Sequence, residues 1–141
     1  MNLKTEISNV KILDFKSFCD PRGSLCPIEF SSLPIDVKRI FYVYGVSDRE
    51  TRGEHSHYNT NQILVCLSGS CTVICKDGKE ERKYLLDNPA KGLLIPSMIW
   101  DEQIYNTSDT VLLVLSDTKY DKADYIEDWN EYLKIRENID V

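Results

Sequence analysis

Apolar residues recur at every second position along this chain, in short runs separated by turn residues. The runs "VKILDF" (10–15) and "VKRIFYVYGV" (37–46) alternate in this way, and their β-branched and aromatic content suits a half-buried sheet surface. Between them, "CDPRGSL" (19–25) reads as a turn, with Pro21 and Gly23 supplying the backbone angles. "LCPIEF" (25–30) reads as an edge strand, because Pro27 has no N–H to give a ladder. The stretch "QILVCLSGSCTVICKDGKEERKYLL" (62–86) predicts strand, Ser-Gly turn, strand, hairpin at Asp77-Gly78, strand. "KGLLIPSMIWDEQIYN" (91–106) predicts two strands around Pro96, and "TVLLVLSD" (110–117) is apolar enough to be buried on both faces.

Only the tail breaks the period of two. In "KADYIEDWNEYLKIREN" (122–138), Ile126, Trp129, Tyr132, Leu133 and Arg136 fall at helical spacing. The tail is expected to begin as a loop near Tyr120 and to pack a short helix outside a β core. No linker, repeat or low-complexity block interrupts the chain, so residues 1–141 read as one domain. Many short strands with turns between them predict an all-β sandwich or barrel of jelly-roll type, with a short C-terminal helix.

Composition narrows what such a barrel can do. A chain of 141 residues with 42% hydrophobic content can bury about two thirds of its unfolded surface. The net charge of -6 with no basic run argues against nucleic-acid binding. A polyanionic ligand would therefore need a local cluster of arginines. The start, "MNLKTEISNV", has neither the apolar stretch nor the cleavage site of a signal peptide, and no run approaches the roughly 20 apolar residues of a membrane span. The five cysteines include no CxxC pair, which is the pattern of free buried thiols in a reducing cytoplasm and not of a zinc site.

The chain's two histidines stand together in "TRGEHSHYNTNQILVCLSG". On a strand, His55 and His57 point to one face, and the inside of a small barrel is where such a pair meets a ligand. The spacing of this pair from Gln62 and Gly69 resembles the first motif of the cupin superfamily. "GLLIPSMIWDEQIYN", with Gly92, Pro96 and Asn106, resembles the second. Metal-binding cupins carry a Glu where this chain has Gln62 and a further His where it has Asp101. His55, His57 and Asp101 could form a facial triad on paper, but an amide is a poor ligand for a transition metal, and no metal and no other cofactor is expected.

A narrower resemblance covers residues 20–132. "DPRGSL", "VKRIFYVYGV", the histidine segment, "DNPAKGLLIPSMIWDEQ" and "YDKADYIEDWNEYL" are similar to the sugar 3,4-ketoisomerases, the family with the WxcM-like cupin domain. The resemblance implies an enzyme that moves the keto group of dTDP-linked 4-keto-6-deoxyglucose from C4 to C3 in deoxysugar biosynthesis. It also implies a jelly-roll barrel and a homodimer that exchanges N-terminal strands. His57 and His55 become the acid/base pair, since imidazole titrates near working pH. Arg52 becomes the group that steadies the enediolate or the pyrophosphate, and Tyr42 a proton donor. Arg22, Lys38 and Arg39 are candidate diphosphate ligands, Gln62 a ligand-facing amide and Trp100 a stacking platform. Asp101 stands where relatives carry His or Arg, a place for product stereochemistry. Two other readings share the fold: a 3,5-epimerase, whose usual base is a His–Asp dyad with a Tyr acid, and a non-catalytic nucleotide-sugar binder.

Overall fold

The structure, a computed structural model, describes residues 5–140. In chain order the strands are β1 (Lys11–Asp14), β2 (Phe18–Asp20), β3 (Gly23–Leu25), β4 (Arg39–Val43), β5 (Thr51–His57) and β6 (Gln62–Ser68). They continue with β7 (Cys71–Lys76), β8 (Glu81–Leu86), β9 (Lys91–Ile95), β10 (Trp100–Tyr105), β11 (Val111–Ser116) and β12 (Tyr125–Ile126), before one helix, α1 (Trp129–Asp140). Two antiparallel five-stranded sheets, β1-β9-β6-β11-β4 and β12-β5-β10-β7-β8, face each other in the jelly-roll manner of a cupin. The β2–β3 hairpin stands apart as its own two-stranded sheet.

Alternation decides which residues meet between the sheets. Leu64, Cys66, Leu93, Leu112 and Val114 from the first sheet pack against Cys71, Val73, Cys75, Leu86 and Tyr105 from the second. Each fully buried aliphatic side chain there contributes about 1.5–3 kcal/mol relative to exposure. The opposite faces are covered separately. Ile63, Val65 and Leu115 lie under an N-terminal wrap that includes Leu13, Phe15, Leu33 and Val37. Met98, Trp100 and Ile126 lie under Tyr132 and its neighbours on α1.

Two expected elements come out differently. "LCPIEF" is no strand beyond Leu25: Pro27 ends the ladder, and Phe30–Ser32 form a single 3-10 turn. Ile126 belongs to β12 and not to the helix. Asp128 accepts the backbone N–H of Glu131 (3.0 Å), which fixes the helix start at Trp129. The residues before it are left extended, and Tyr125 and Ile126 pair with His57 and Ser56 of β5.

Candidate active site

Register sets the polar contents of the barrel. Across the first sheet Arg39, Ser116 and Gln62 lie in one row; across the second, Cys75, Asp101 and His55 do. Both rows project into the space between the sheets, because the residues two positions along belong to the apolar core. Strand β5 carries a bulge here. Gly53 (φ 83) and Glu54 (φ 57) both have left-handed backbone, and the pairing to β10 shifts between Asp101 and Glu102. The extra residue puts Arg52, paired with Gln103, on the same face as His55, paired with Asp101. Gly53 is required at that point: a Cβ there would meet Asp101 Oδ1 at 3.1 Å in a backbone conformation other residues rarely adopt.

His57 is buried, at 5% exposure. Its carbonyl accepts the backbone N–H of Met98 (2.7 Å), and its Nδ1 lies 3.2 Å from Asp124 Oδ2. Asp124 also accepts the backbone N–H groups of Asn59 (2.8 Å) and Thr60 (3.3 Å) and the Thr60 hydroxyl. Among the described residues His57 Nε2 is buried without a hydrogen-bond partner. The His55 ring stands 5.0 Å away edge-on, and Tyr125 lies 4.4 Å from His57 and 5.3 Å from His55. Burial pushes the His57 imidazole down to about 4; His55 and Arg39 push the same way, and Asp124 opposes them. His57 is therefore neutral near pH 7.

Arg39 supplies the cation. Its guanidinium lies over Phe41 (4.9 Å) and near Tyr120 (5.5 Å), and its Nε is buried without a partner among the described residues. Asp101 is 1% exposed, and burial raises its carboxyl above the usual range against the pull of His55. Its Oδ1 accepts from Gln103 Nε2 (3.1 Å), and Gln103 Oε1 accepts from the Tyr105 hydroxyl (3.0 Å). The Gln62 amide nitrogen donates to Ser116 Oγ (2.9 Å). With that amide turned aside, the donor set does not fit the cupin metal site. Among the described residues no group of three or more His, Cys, Asp or Glu could hold a metal ion.

The fold thus brings together His55, His57, Arg39, Gln62 and Asp101, with Arg52 further along the same face. Four other residues expected at the site stand elsewhere. Tyr42 is 63% exposed on the outer face of β4, because the inward parity belongs to Arg39, Phe41 and Val43. With Tyr44, Glu50 and Arg52 it lines an open groove of about 480 Å3. Trp100 points out of the barrel under α1, where its Nε1 donates to Glu102 (3.0 Å) and its ring meets Trp129 and Tyr132. Lys38 is exposed and pairs with Asp36 (2.7 Å). Arg22 is exposed on the hairpin and pairs with Asp20 (2.7 Å). Sequence reasoning missed Asp124, Tyr125 and Tyr120, which it assigned to a loop and a helix. The signal was available: the Asp128/Glu131 capping pattern starts the helix late and frees the residues before it to extend.

A jelly roll with two inward histidines on the strand after a Gly bulge is a cupin. The family model described as WxcM-like, C-terminal (FdtA) matches residues 8–137, and the chain belongs to that family. It is 40% identical over 125 residues (88% of this chain, 90% of the relative) to TDP-4-oxo-6-deoxy-alpha-D-glucose-3,4-oxoisomerase from Aneurinibacillus thermoaerophilus. The crystal structure of QdtA, a sugar 3,4-ketoisomerase from Thermoanaerobacterium thermosaccharolyticum in complex with TDP, superposes with a TM-score of 0.90 at 37% identity, covering 94% of this chain and 98% of that one. A histidine-to-asparagine variant of QdtA in complex with TDP-4-keto-6-deoxyglucose superposes equally well (0.90, 36% identity, 94% and 97% covered).

Proposed function

We infer that this chain is an isomerase, a sugar 3,4-ketoisomerase that moves the keto group of TDP-linked 4-keto-6-deoxyglucose from C4 to C3. The observation that carries this reading is the neutral, buried imidazole of His57, with its open Nε2, beside a second histidine and a cation inside the barrel. The relatives' activity agrees with it. The chemistry asks for little more. The C4 carbonyl acidifies the C3 proton, and His57 Nε2 accepts it, giving an enediolate. Arg39 steadies the negative oxygen, with Arg52 as the second candidate for that oxygen or for the diphosphate. A proton then returns to C4 and another passes between the two oxygens, with His55 as the partner base. Electrons stay within the sugar, so the reaction balances without an oxidant or cofactor.

The substrate-binding set is Arg39, Gln62 and Asp101 from one chain, and the working form is a homodimer that exchanges N-terminal strands. Three features support the exchange. Among the described residues the β2–β3 hairpin pairs only with itself. Phe18 and Leu25 on it are exposed, Leu25 at 67%. The edge strand β4 leaves Ile40 and Tyr42 bare. Exchange would carry Arg22 and its hairpin to a second copy, and light scattering at the mass of two chains is the check. The activity itself is tested by incubation with TDP-4-keto-6-deoxyglucose in deuterated water. Proton NMR should show the carbonyl at C3 and deuterium in the ring. A bound sugar that neither isomerises nor exchanges would sink the enzyme reading in favour of a binding module.

A further inference from the structure

Asp124 is a buried carboxylate, at 8% exposure, that reaches the site from 67 residues beyond His57. Besides the imidazole, the groups the structure places on it are donors: two backbone N–H groups and a threonine hydroxyl. A carboxylate oxygen so surrounded only accepts, so the proton of the neutral His57 ring sits on Nδ1. The lone pair is then on Nε2, the atom left buried and without a partner among the described residues. The peptide chain reinforces the arrangement. Asp124 immediately precedes Tyr125, which pairs with His57, and the Asp124 carbonyl accepts the Tyr58 N–H (2.9 Å), so carboxylate and ring are clamped from both sides. On the same strand Glu54, next to His55, holds left-handed backbone (φ 57), a conformation that costs a non-glycine residue energy.

We propose that Asp124 is a positioning residue for the isomerisation, holding His57 in its Nδ1–H form so that Nε2 serves as the proton acceptor. This role rests on the ketoisomerase reading. It gives Asp124→Asn a specific consequence. The amide can keep the Asn59 N–H on its oxygen while its NH2 group faces His57, which favours the opposite tautomer and puts a proton where the lone pair is needed.

The test reads the tautomer and the kinetics together. In long-range proton–nitrogen NMR spectra of 15N-labelled wild-type protein near pH 7, His57 should be protonated at Nδ1. In Asp124→Asn the proton should move to Nε2. Turnover should fall about 10²-fold or more, with KM changed only a few-fold. A structural role alone would lower the melting temperature without moving the tautomer. An Nε2–H signal from active wild-type protein overturns the proposal even where the variant fails to fold. Turnover of Asp124→Asn within threefold of wild type overturns it as well. Wild-type protein that turns over no TDP-4-keto-6-deoxyglucose instead overturns the ketoisomerase reading, and this role with it.

Discussion

At one end of the space between the sheets, Cys66, Cys71, Val73 and Leu112 fill the interior with apolar atoms; at the other, Arg39, Gln62, Asp101 and Ser116 stand on some of the same strands. The same physical term acts at both ends. Burial penalises charge, so it pushes the Cys71 thiol up to about 12 and the His57 imidazole down to about 4. Both groups end up neutral, with opposite consequences. A neutral buried thiol is not a nucleophile, and it serves as a small hydrophobe. A neutral imidazole keeps a lone pair and can take a proton. Desolvation therefore leaves a small hydrophobe at one end of the barrel and a neutral imidazole with a lone pair at the other, and what differs is the residue type the strand presents to it.

The largest expected effect falls at the polar end. His57→Asn should lower turnover by about 10²- to 10⁴-fold, the range of a general acid/base contribution, while the protein stays folded. His55→Asn should also lose activity. Near-normal turnover in both variants would erase the distinction between the two ends. At the apolar end, Leu112→Ala should cost about 2–5 kcal/mol of stability in urea unfolding, because Leu112 is fully buried and its truncation leaves a cavity. Turnover of the folded fraction should change little. A large loss of turnover without loss of stability would mean that the core end also takes part in the chemistry.

The pH dependence of stability sharpens the contrast. The folded His57 value near 4 lies below its ordinary 6.5, so between these pH values the unfolded chain binds a proton that the native state does not. Stability should fall as pH drops from 6.5 towards 4, by up to about 3 kcal/mol. Asp101, raised by burial, works in the opposite sense: the native state binds its proton first, which favours folding as pH falls through the folded value. The histidine's contribution is therefore isolated in Asp101→Asn. Urea midpoints of that variant should slope with pH, and adding His57→Asn should flatten the slope. Equal slopes in the two proteins would show that His57 is not held neutral by burial.

How far the sequence reveals this site depends on the range of the forces that build it. The histidine pair was legible because a strand's period of two is local, and so was its pairing with Gln62 and Asp101 through the cupin motif spacing. The face of β4 was not. Arg39, Phe41 and Val43 on one side and Ile40, Tyr42 and Tyr44 on the other both mix ring, aliphatic and polar character. Only the opposing sheet decides which set turns inward. Trp100 looked like a ligand platform because nothing near it in sequence announces α1, the element that covers it. Asp124 was invisible for the same reason on a larger scale, since its contact with His57 spans 67 residues and is made by a two-strand pairing. Arg22 sits on the β2–β3 hairpin, which among the described residues forms a sheet of its own, so no neighbouring strand marks its place in the sequence pattern.

The smallest effect concerns Asp101, at the boundary between the two ends. It pairs across strands with His55 on one side and Cys75 on the other, so a polar and an apolar neighbour compete for its environment. If its carboxyl helps choose the face from which C4 is reprotonated, the energy involved is small. A preference of about 1.4 kcal/mol between faces already gives a tenfold product ratio, and one hydrogen bond is worth that much. Asp101→Asn keeps the shape and the contact with Gln103 while removing the acidic proton. Deuterium exchange at C3 should continue at nearly the wild-type rate, because the proposed mechanism gives that step to the histidines. The configuration at C4, or the rate at which C4 gains its proton, should shift by about tenfold. NMR of the product separates the two steps. An unchanged C4 outcome would assign Asp101 to the apolar end of the barrel, as a buried acid held by Gln103 and taking no part in the reaction. A loss of C3 exchange equal to that of His57→Asn would make it part of the base.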